Sequence, residues 1–225
     1  MKAFKPFAPL FVLAALVIGA LATRNLTPLS AAVKTTQSSK IPAPKVAAKG
    51  QQTATFAAGC FWSMEAIFKQ LKGVSSVEPG YAGGTLKNPT YEQVEEANTG
   101  HAETVNIIFD PKVISYRDLL QVLLTVRNPT TKDQQGPDAG PQYRSVIFAR
   151  TPEQKQQAQD EIKKFTADKV WPDPIVTEVV DYKNFYRAED YHLDYYNQHP
   201  NQPYCAGVVG PEIEEFKTKF KDKLK

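Results

Sequence analysis

Cys60 and Cys205 are the only thiols in the chain. One of them stands where a thiol becomes reactive. Thr53-Ala54-Thr55-Phe56-Ala57-Ala58 reads as a short strand, and Phe61 to Leu71 as a helix with Phe61, Ile67, Phe68 and Leu71 as apolar positions. Gly59 supplies the turn between them. Cys60 therefore falls at or just before a helix N-terminus, where unpaired N–H groups favour an anion. Such a placement lowers a thiol pKa and makes a nucleophile. The bland alternative is an inert core cysteine, because free Cys is among the most buried residue types. Glu103 is the second candidate. Gly100 to Phe109 reads as a strand, and its period of two puts Glu103 on the same face as Val105, Ile107 and Phe109. Burial raises a carboxyl pKa, so Glu103 can keep a proton near neutral pH. A solvated strand end or a lysine partner would make it ordinary.

The elements that must position these groups alternate along the chain. Val74 to Tyr81 reads as a strand ending at Ala82-Gly83-Gly84, and Tyr91 to Ala97 as a short helix after the turn Lys87-Asn88-Pro89-Thr90. Ser115 is an N-cap, with Asp118 at N3, for a helix through Val126 that turns Leu119, Leu120, Val122, Leu123 and Val126 inward. Asn128 to Gln142 is a long polar loop rich in Pro and Gly, of the kind that is either functional or disordered. Arg144 to Ala149 reads as a strand. Thr151-Pro152-Glu153-Gln154 opens a helix to about Ala167, with Gln154 expected to complete a capping box. Ile175 to Val180 is expected as a strand, Ala188 to Asn197 as a helix, and Glu212 to Lys225 as a charged helical end.

The formal charge of +3 over 225 residues is unevenly placed. Residues 1–52 hold seven Lys or Arg and no acid, which leaves residues 53–225 at a net of −4. The globular part is mildly acidic, which argues against nucleic acid. Lys2 and Lys5 precede an apolar run, Leu10 to Ala22, that ends in Ala20-Leu21-Ala22, a small-x-small cleavage pattern. Residues 1–22 thus read as a signal peptide or, if uncleaved, as a short membrane anchor over residues 8–22. Residues 23–52 read as a flexible tether, and residues 53–225 as one domain. The expected location is outside the cytosol, periplasmic or secreted, with membrane contact only through an uncleaved leader. No CxxC, HExxH, GxGxxG or P-loop spacing occurs, so neither a metal nor a bound nucleotide cofactor is expected.

Several segments then converge. Gly59-Cys60-Phe61-Trp62 resembles the GCFW signature of the A-type peptide-methionine sulfoxide reductases. Gly80-Tyr81-Ala82-Gly83-Gly84, Asn88-Pro89-Thr90-Tyr91, Gly100-His101-Ala102-Glu103, Ile114-Ser115-Tyr116, Gln135 to Ser145 and Ala188-Glu189-Asp190-Tyr191-His192 match that family in order and at its spacing. The resemblance covers roughly residues 53–205. It implies a two-layer, ferredoxin-like α+β plait, a mixed sheet with helices packed against it. It also implies reduction of the S-epimer of methionine sulfoxide, free or in proteins, with a thioredoxin-like reductant and no cofactor. Cys60 is then the nucleophile that becomes a sulfenic acid, and Glu103 the acid. Tyr91 and Tyr143 resemble the tyrosines that hold the sulfoxide oxygen, Asp138 the acid that orders the site, and Phe61 and Trp62 the apolar wall for the S-methyl group. Cys205, after Tyr204, resembles the family's resolving cysteine. The chain departs from the pattern in Ser63, in Asn128 and in the stiff segment Ala206 to Pro211, which leaves open whether Cys205 resolves or is packed structure. His192 can equally be a hydrogen-bonding support.

Two rival classes remain at this level. A papain-type cysteine hydrolase also pairs a Cys beside an aromatic with a distant His, but its C-G-[SA]-C-[WY] signature is absent and Glu103 would have no role. An exported binding module with a structural Cys60–Cys205 disulfide would need no reactive thiol.

Overall fold

The computed structural model describes residues 41–225. The leader expected over residues 1–22 and the first part of the tether lie outside the described residues. In chain order the elements are β1 (Gln52–Ala57), α1 (Phe61–Lys69), β2 (Val74–Ala82), α2 (Tyr91–Glu95), β3 (Ala102–Phe109) and α3 (Tyr116–Val126). There follow β4 (Gln134–Gln135), β5 (Asp138–Ala139), a 3₁₀ turn (Pro141–Tyr143), β6 (Val146–Ala149), α4 (Pro152–Ala167), β7 (Glu178–Asp181) and β8 (Tyr186–Arg187). A 3₁₀ turn (Asp190–His192), α5 (Tyr195–Gln198), a π turn (Cys205–Val209) and α6 (Gly210–Lys219) follow, and a 3₁₀ turn (Lys221–Lys223) breaks the helical end expected over Glu212 to Lys225.

One mixed sheet of order β7-β6-β1-β3-β2-β8 carries the molecule. Only the β6–β7 pair is parallel; the other pairs are antiparallel. The central register sets Phe56 opposite Val105 and Tyr81 opposite Glu103. The larger core lies on the face where Phe56, Val105, Ile107 and Phe109 meet Phe61, Ile67 and Phe68 of α1, Leu119, Leu120 and Leu123 of α3, and Ile213 and Phe216 of α6. Each of these fully buried side chains contributes roughly 1.5–3 kcal/mol by leaving water. A smaller cluster of Ala57, Ala82, Ala102, Val146, Phe148 and Phe185 packs the reverse face. The period of two in β3 thus holds: Val105, Ile107 and Phe109 share the larger core, while Ala102 joins the smaller one.

Local chemistry explains the helix starts. Ser115 accepts from the Asp118 amide, while Asp118 accepts from the Ser115 amide, a reciprocal capping box. Thr90 and Gln93 do the same for α2. At α4 the expected box is not completed. Thr151 accepts from the Gln154 amide, but the Gln154 side chain accepts from the Arg150 amide at 3.0 Å and donates to the Thr53 carbonyl at 3.0 Å. The residue that could close the cap instead ties α4 to β1.

Three sequence expectations are corrected. The helix expected over Ala188 to Asn197 is an irregular segment of two short turns. Ala188 donates its amide to Pro79 O on the β2 edge, Asp194 donates its own to Glu65 Oε2, and Asp194 is left-handed at φ +55°. These tertiary bonds take backbone groups that a helix would have used. The strand expected from Ile175 starts only at Glu178, because the Val176 amide is taken by Pro129 O. The polar loop over Asn128 to Gln142 holds a two-residue hairpin, β4–β5, turned at Gly136-Pro137. The last stretch of the expected tether also has partners: Lys45 donates its amide to Glu78 Oε2 at 2.7 Å, and Gln51 donates to Ser75 Oγ at 3.0 Å.

Candidate active site

The turn from β1 to α1 is built so that nothing but glycine fits at position 59. Gly59 sits at φ +79°, and a Cβ there would lie 2.3 Å from Arg127 Nη2 and 2.6 Å from Gln135 Cβ. Beneath the turn Arg127 is buried, 2 % exposed. Its Nε donates to Ala58 O at 2.7 Å, its Nη1 to Ser63 Oγ at 3.1 Å, and it pairs with Glu212 of α6. Ser63 Oγ donates to the same Glu212 carboxylate. The departure at Ser63 therefore has a use: it links α1 to α6 through a buried charge pair.

Cys60 is the N-cap of α1, as expected, and is buried. The first free amide of the helix, on Phe61, donates to Glu103 Oε2 at 2.8 Å. This bond draws Glu103 of β3 up to the nucleophile, so the helix N-terminus is shared between thiol and carboxyl. The expectation of a lowered thiol pKa is corrected. Burial pushes the Cys60 thiol well up, and the Glu103 carboxyl beside it pushes the same way; the Ser63 amide, the Tyr204 hydroxyl and the Trp62 amide oppose them without prevailing. Glu103 is raised well above the carboxylate range, first by burial and then by the neighbouring Glu95 and Asp138, against the pull of the Phe61 amide and Arg127. The desolvation cost of a charge outweighs a few amide dipoles here. Both groups are shifted toward their protonated forms.

Above them opens a cavity of about 280 Å³, lined by Cys60, Trp62, Tyr91, Glu103, Asp138, Tyr143, Gln202 and Tyr204. It gathers residues from α1, α2, β3, the β4–β5 hairpin, the following 3₁₀ turn and the segment before the π turn. Of the residues singled out in the sequence, Cys60, Trp62, Tyr91, Glu103, Asp138 and Tyr143 come together. Phe61 does not line the cavity. It is 1 % exposed in the larger core, against Tyr81, Tyr91, Trp62 and His192, because the residue after the N-cap turns its side chain inward while its amide serves Glu103. The apolar wall is Trp62 alone of the pair. Its indole stacks on Tyr195 with centroids 3.8 Å apart and donates from Nε1 to His192 Nδ1 at 3.0 Å. Burial lowers the His192 pKa to about 4, so the ring is neutral and accepts that bond as a support.

The tyrosines are held by carboxylates. Tyr143 donates to Glu95 Oε2 at 3.0 Å and Tyr204 to Asp138 Oδ2 at 2.5 Å. Glu189 accepts from the Tyr91 amide and from the Tyr81 hydroxyl, each at 2.9 Å, and so sets the entry of α2. Sequence reading passed over Glu95, Arg127, Glu189 and Gln202; of these only Glu189 stood inside a quoted motif, and Tyr204 stood only as the neighbour of Cys205. Cys205 itself is a free thiol with no exposed surface, and it does not line the cavity. Its amide donates to Gln202 Oε1 at 2.9 Å, and it opens the π turn that runs into α6.

The chain is similar to known proteins over most of its length. The family model described as "Peptide methionine sulfoxide reductase" matches residues 52–224. A "Peptide methionine sulfoxide reductase MsrA" of Polynucleobacter asymbioticus is 49% identical over 170 residues, covering 76% of this chain and 90% of its own. The protein of the same name from Thermus thermophilus is 46% identical over 175 residues, covering 78% of this chain and 98% of its own. Among solved structures, reduced Mxr1 from Saccharomyces cerevisiae superposes with a TM-score of 0.66 at 31% identity, over 70% of this chain and 91% of that one. Methionine sulfoxide reductase A of Corynebacterium diphtheriae gives 0.66 at 30% identity, over 69% and 78%.

Proposed function

This chain belongs to the peptide methionine sulfoxide reductase family and reduces methionine sulfoxide, and we propose that the cavity over Cys60 is where the reaction runs. The observation that carries the reading is one hydrogen bond: Phe61, the residue after the thiol, donates its amide to Glu103. That bond holds the carboxyl beside the thiol, where burial raises the pKa of both groups.

The sulfoxide enters with its oxygen toward Glu103, Tyr91 and Tyr143 and its S-methyl group on Trp62. Cys60 sulfur attacks the sulfoxide sulfur as Glu103 gives its proton to the oxygen and the thiol proton is taken up in its place. The attack joins the two sulfurs; the protonated oxygen then passes to the Cys60 sulfur as the S–S bond breaks, its electron pair returning to the methionine thioether. One thiol and one sulfoxide become one sulfenic acid and one thioether, so no outside electrons enter at this stage. A neutral resting thiol suits the step, because ionisation is called for only once a polarised sulfoxide is present. Selection of the S-epimer is what the resemblance to the A-type reductases implies.

Regeneration needs two electrons. Cys205 condenses with the sulfenic acid, forming a disulfide and releasing water, and a thioredoxin-like dithiol reduces the disulfide. For this Cys205 must leave the π turn, a helical irregularity of the kind found at functional sites. Around the site the β1-α1-β2-β3-α3-β6 path with strand order β6-β1-β3-β2 supports a ferredoxin-like plait. The leader pattern supports export, with the stretch between the leader and Lys45 as a tether; N-terminal sequencing of the mature protein tests it.

The direct experiment is mass spectrometry of the purified protein after one turnover on a methionine sulfoxide peptide. A Cys60 sulfenic acid or a Cys60–Cys205 disulfide, with a matching yield of methionine, is the expected result. Methionine formed while Cys60 stays an unmodified thiol refutes the scheme.

A further inference from the structure

Glu95 is a third carboxyl at the site after Glu103 and Asp138; it does not line the cavity but bonds Tyr143, which does, and nothing above gives it a chemical task. It is the last residue of α2, half-buried. Its Oε2 accepts the Tyr143 hydroxyl at 3.0 Å, and its Oε1 is buried with no hydrogen-bond partner among the described residues. A phenol has one hydrogen to give. While Tyr143 gives it to Glu95, none remains for a sulfoxide oxygen in the cavity that Tyr143 lines.

We propose that Glu95 is a positioning residue that sets the direction of the Tyr143 O–H. Protonated, Glu95 donates to the Tyr143 oxygen and frees the phenolic hydrogen for the sulfoxide. Ionised, it claims that hydrogen and adds negative charge where the substrate oxygen must sit. The inference rests on the reading of the cavity as the sulfoxide site.

The surroundings favour the protonated form. From β3 the Glu103 carboxyl faces Glu95, from the hairpin Asp138, from the 3₁₀ turn Tyr143 and Gln142, and from its own helix Tyr91. None of these carries positive charge. Burial raises the Glu95 pKa, with Asp138 adding to it and the Tyr143 and Gln142 side chains opposing. An unpartnered buried oxygen is tolerable on a neutral carboxyl and costly on a carboxylate. The active arrangement is therefore held on the acid side and lost as pH rises through the raised pKa.

The test is the pH profile of single-turnover methionine formation from a methionine sulfoxide peptide, for wild type, Glu95→Gln and Glu95→Ser. Glu95→Gln keeps the shape and removes the charge at every pH; Glu95→Ser removes the acceptor. Both variants are expected within a few-fold of wild type on the acid plateau. On the alkaline limb both should outpace wild type by about tenfold or more, the worth of a hydrogen bond to a charged group. Loss of the Glu103 proton leaves a limb at higher pH in every form, so the reading is the shift: a limb that sets in at the wild-type pH in both variants, or a uniform loss at every pH, overturns the inference. Wild type forming no methionine would instead defeat the proposed site itself.

Discussion

Glu103→Gln isolates the proton from the shape. The amide has the volume of the acid and can still accept from the Phe61 amide, so the 2.8 Å bond that places residue 103 survives. What disappears is a carboxyl held protonated by burial and by Glu95 and Asp138. General acid catalysis is worth about 10²–10⁴ in rate, or roughly 3–5.5 kcal/mol of transition-state stabilisation. Single-turnover methionine formation, followed by rapid quench, should slow by that factor at neutral pH. The ratio should narrow in strong acid, where hydronium substitutes, and on the alkaline side, where wild-type Glu103 gives up its own proton. Stability should move the other way. A carboxyl whose folded pKa is raised contributes stability below its unfolded pKa and loses it as pH rises toward the folded one. At neutral pH wild type carries that loss and Glu103→Gln does not, so the variant should melt at a higher temperature. A variant that turns over at more than half the wild-type rate at neutral pH would refute the assignment of the acid.

Cys60→Ser should form no methionine while keeping its melting temperature, because a hydroxyl at the same N-cap is not a competent nucleophile for sulfoxide sulfur; measurable turnover would sink the scheme. Cys205→Ser should release roughly one methionine per enzyme in a single turnover, since Cys60 chemistry is untouched. It should then stall with a thioredoxin-type reductant and recover with a small thiol; normal cycling with thioredoxin would make Cys205 a packing residue. Arg127→Leu leaves Glu212 and Ala58 O without their buried partner, and should cost about 3–5 kcal/mol in urea unfolding; a loss below 1 kcal/mol would show that the pair does not hold the turn.

What the sequence determined by itself was whatever rests on local rules. A strand, a positive-φ glycine and an amphipathic helix place Cys60 at an N-cap without reference to the rest of the chain, and alternation along β3 places Glu103 on the inner face. Ser115 and Thr90 cap their helices with partners three residues away. The motifs also named Tyr91, Tyr143 and Asp138, which the fold brings to one cavity with Cys60. Only the tertiary structure decided the protonation of the site, because a pKa set by desolvation depends on what covers the group, and Cys60 and Glu103 are covered by segments far along the chain. It also decided that Phe61 serves through its amide and not its ring. The same holds for Arg127, which no local rule singles out and which becomes the buried charge under the turn at Cys60 by meeting Glu212 on α6. The segment from Ala188 lost its expected helix because Pro79 O and Glu65, distant in sequence, compete for its amides. Periodicity along a chain reports which face is buried; it says nothing of the partner that waits there.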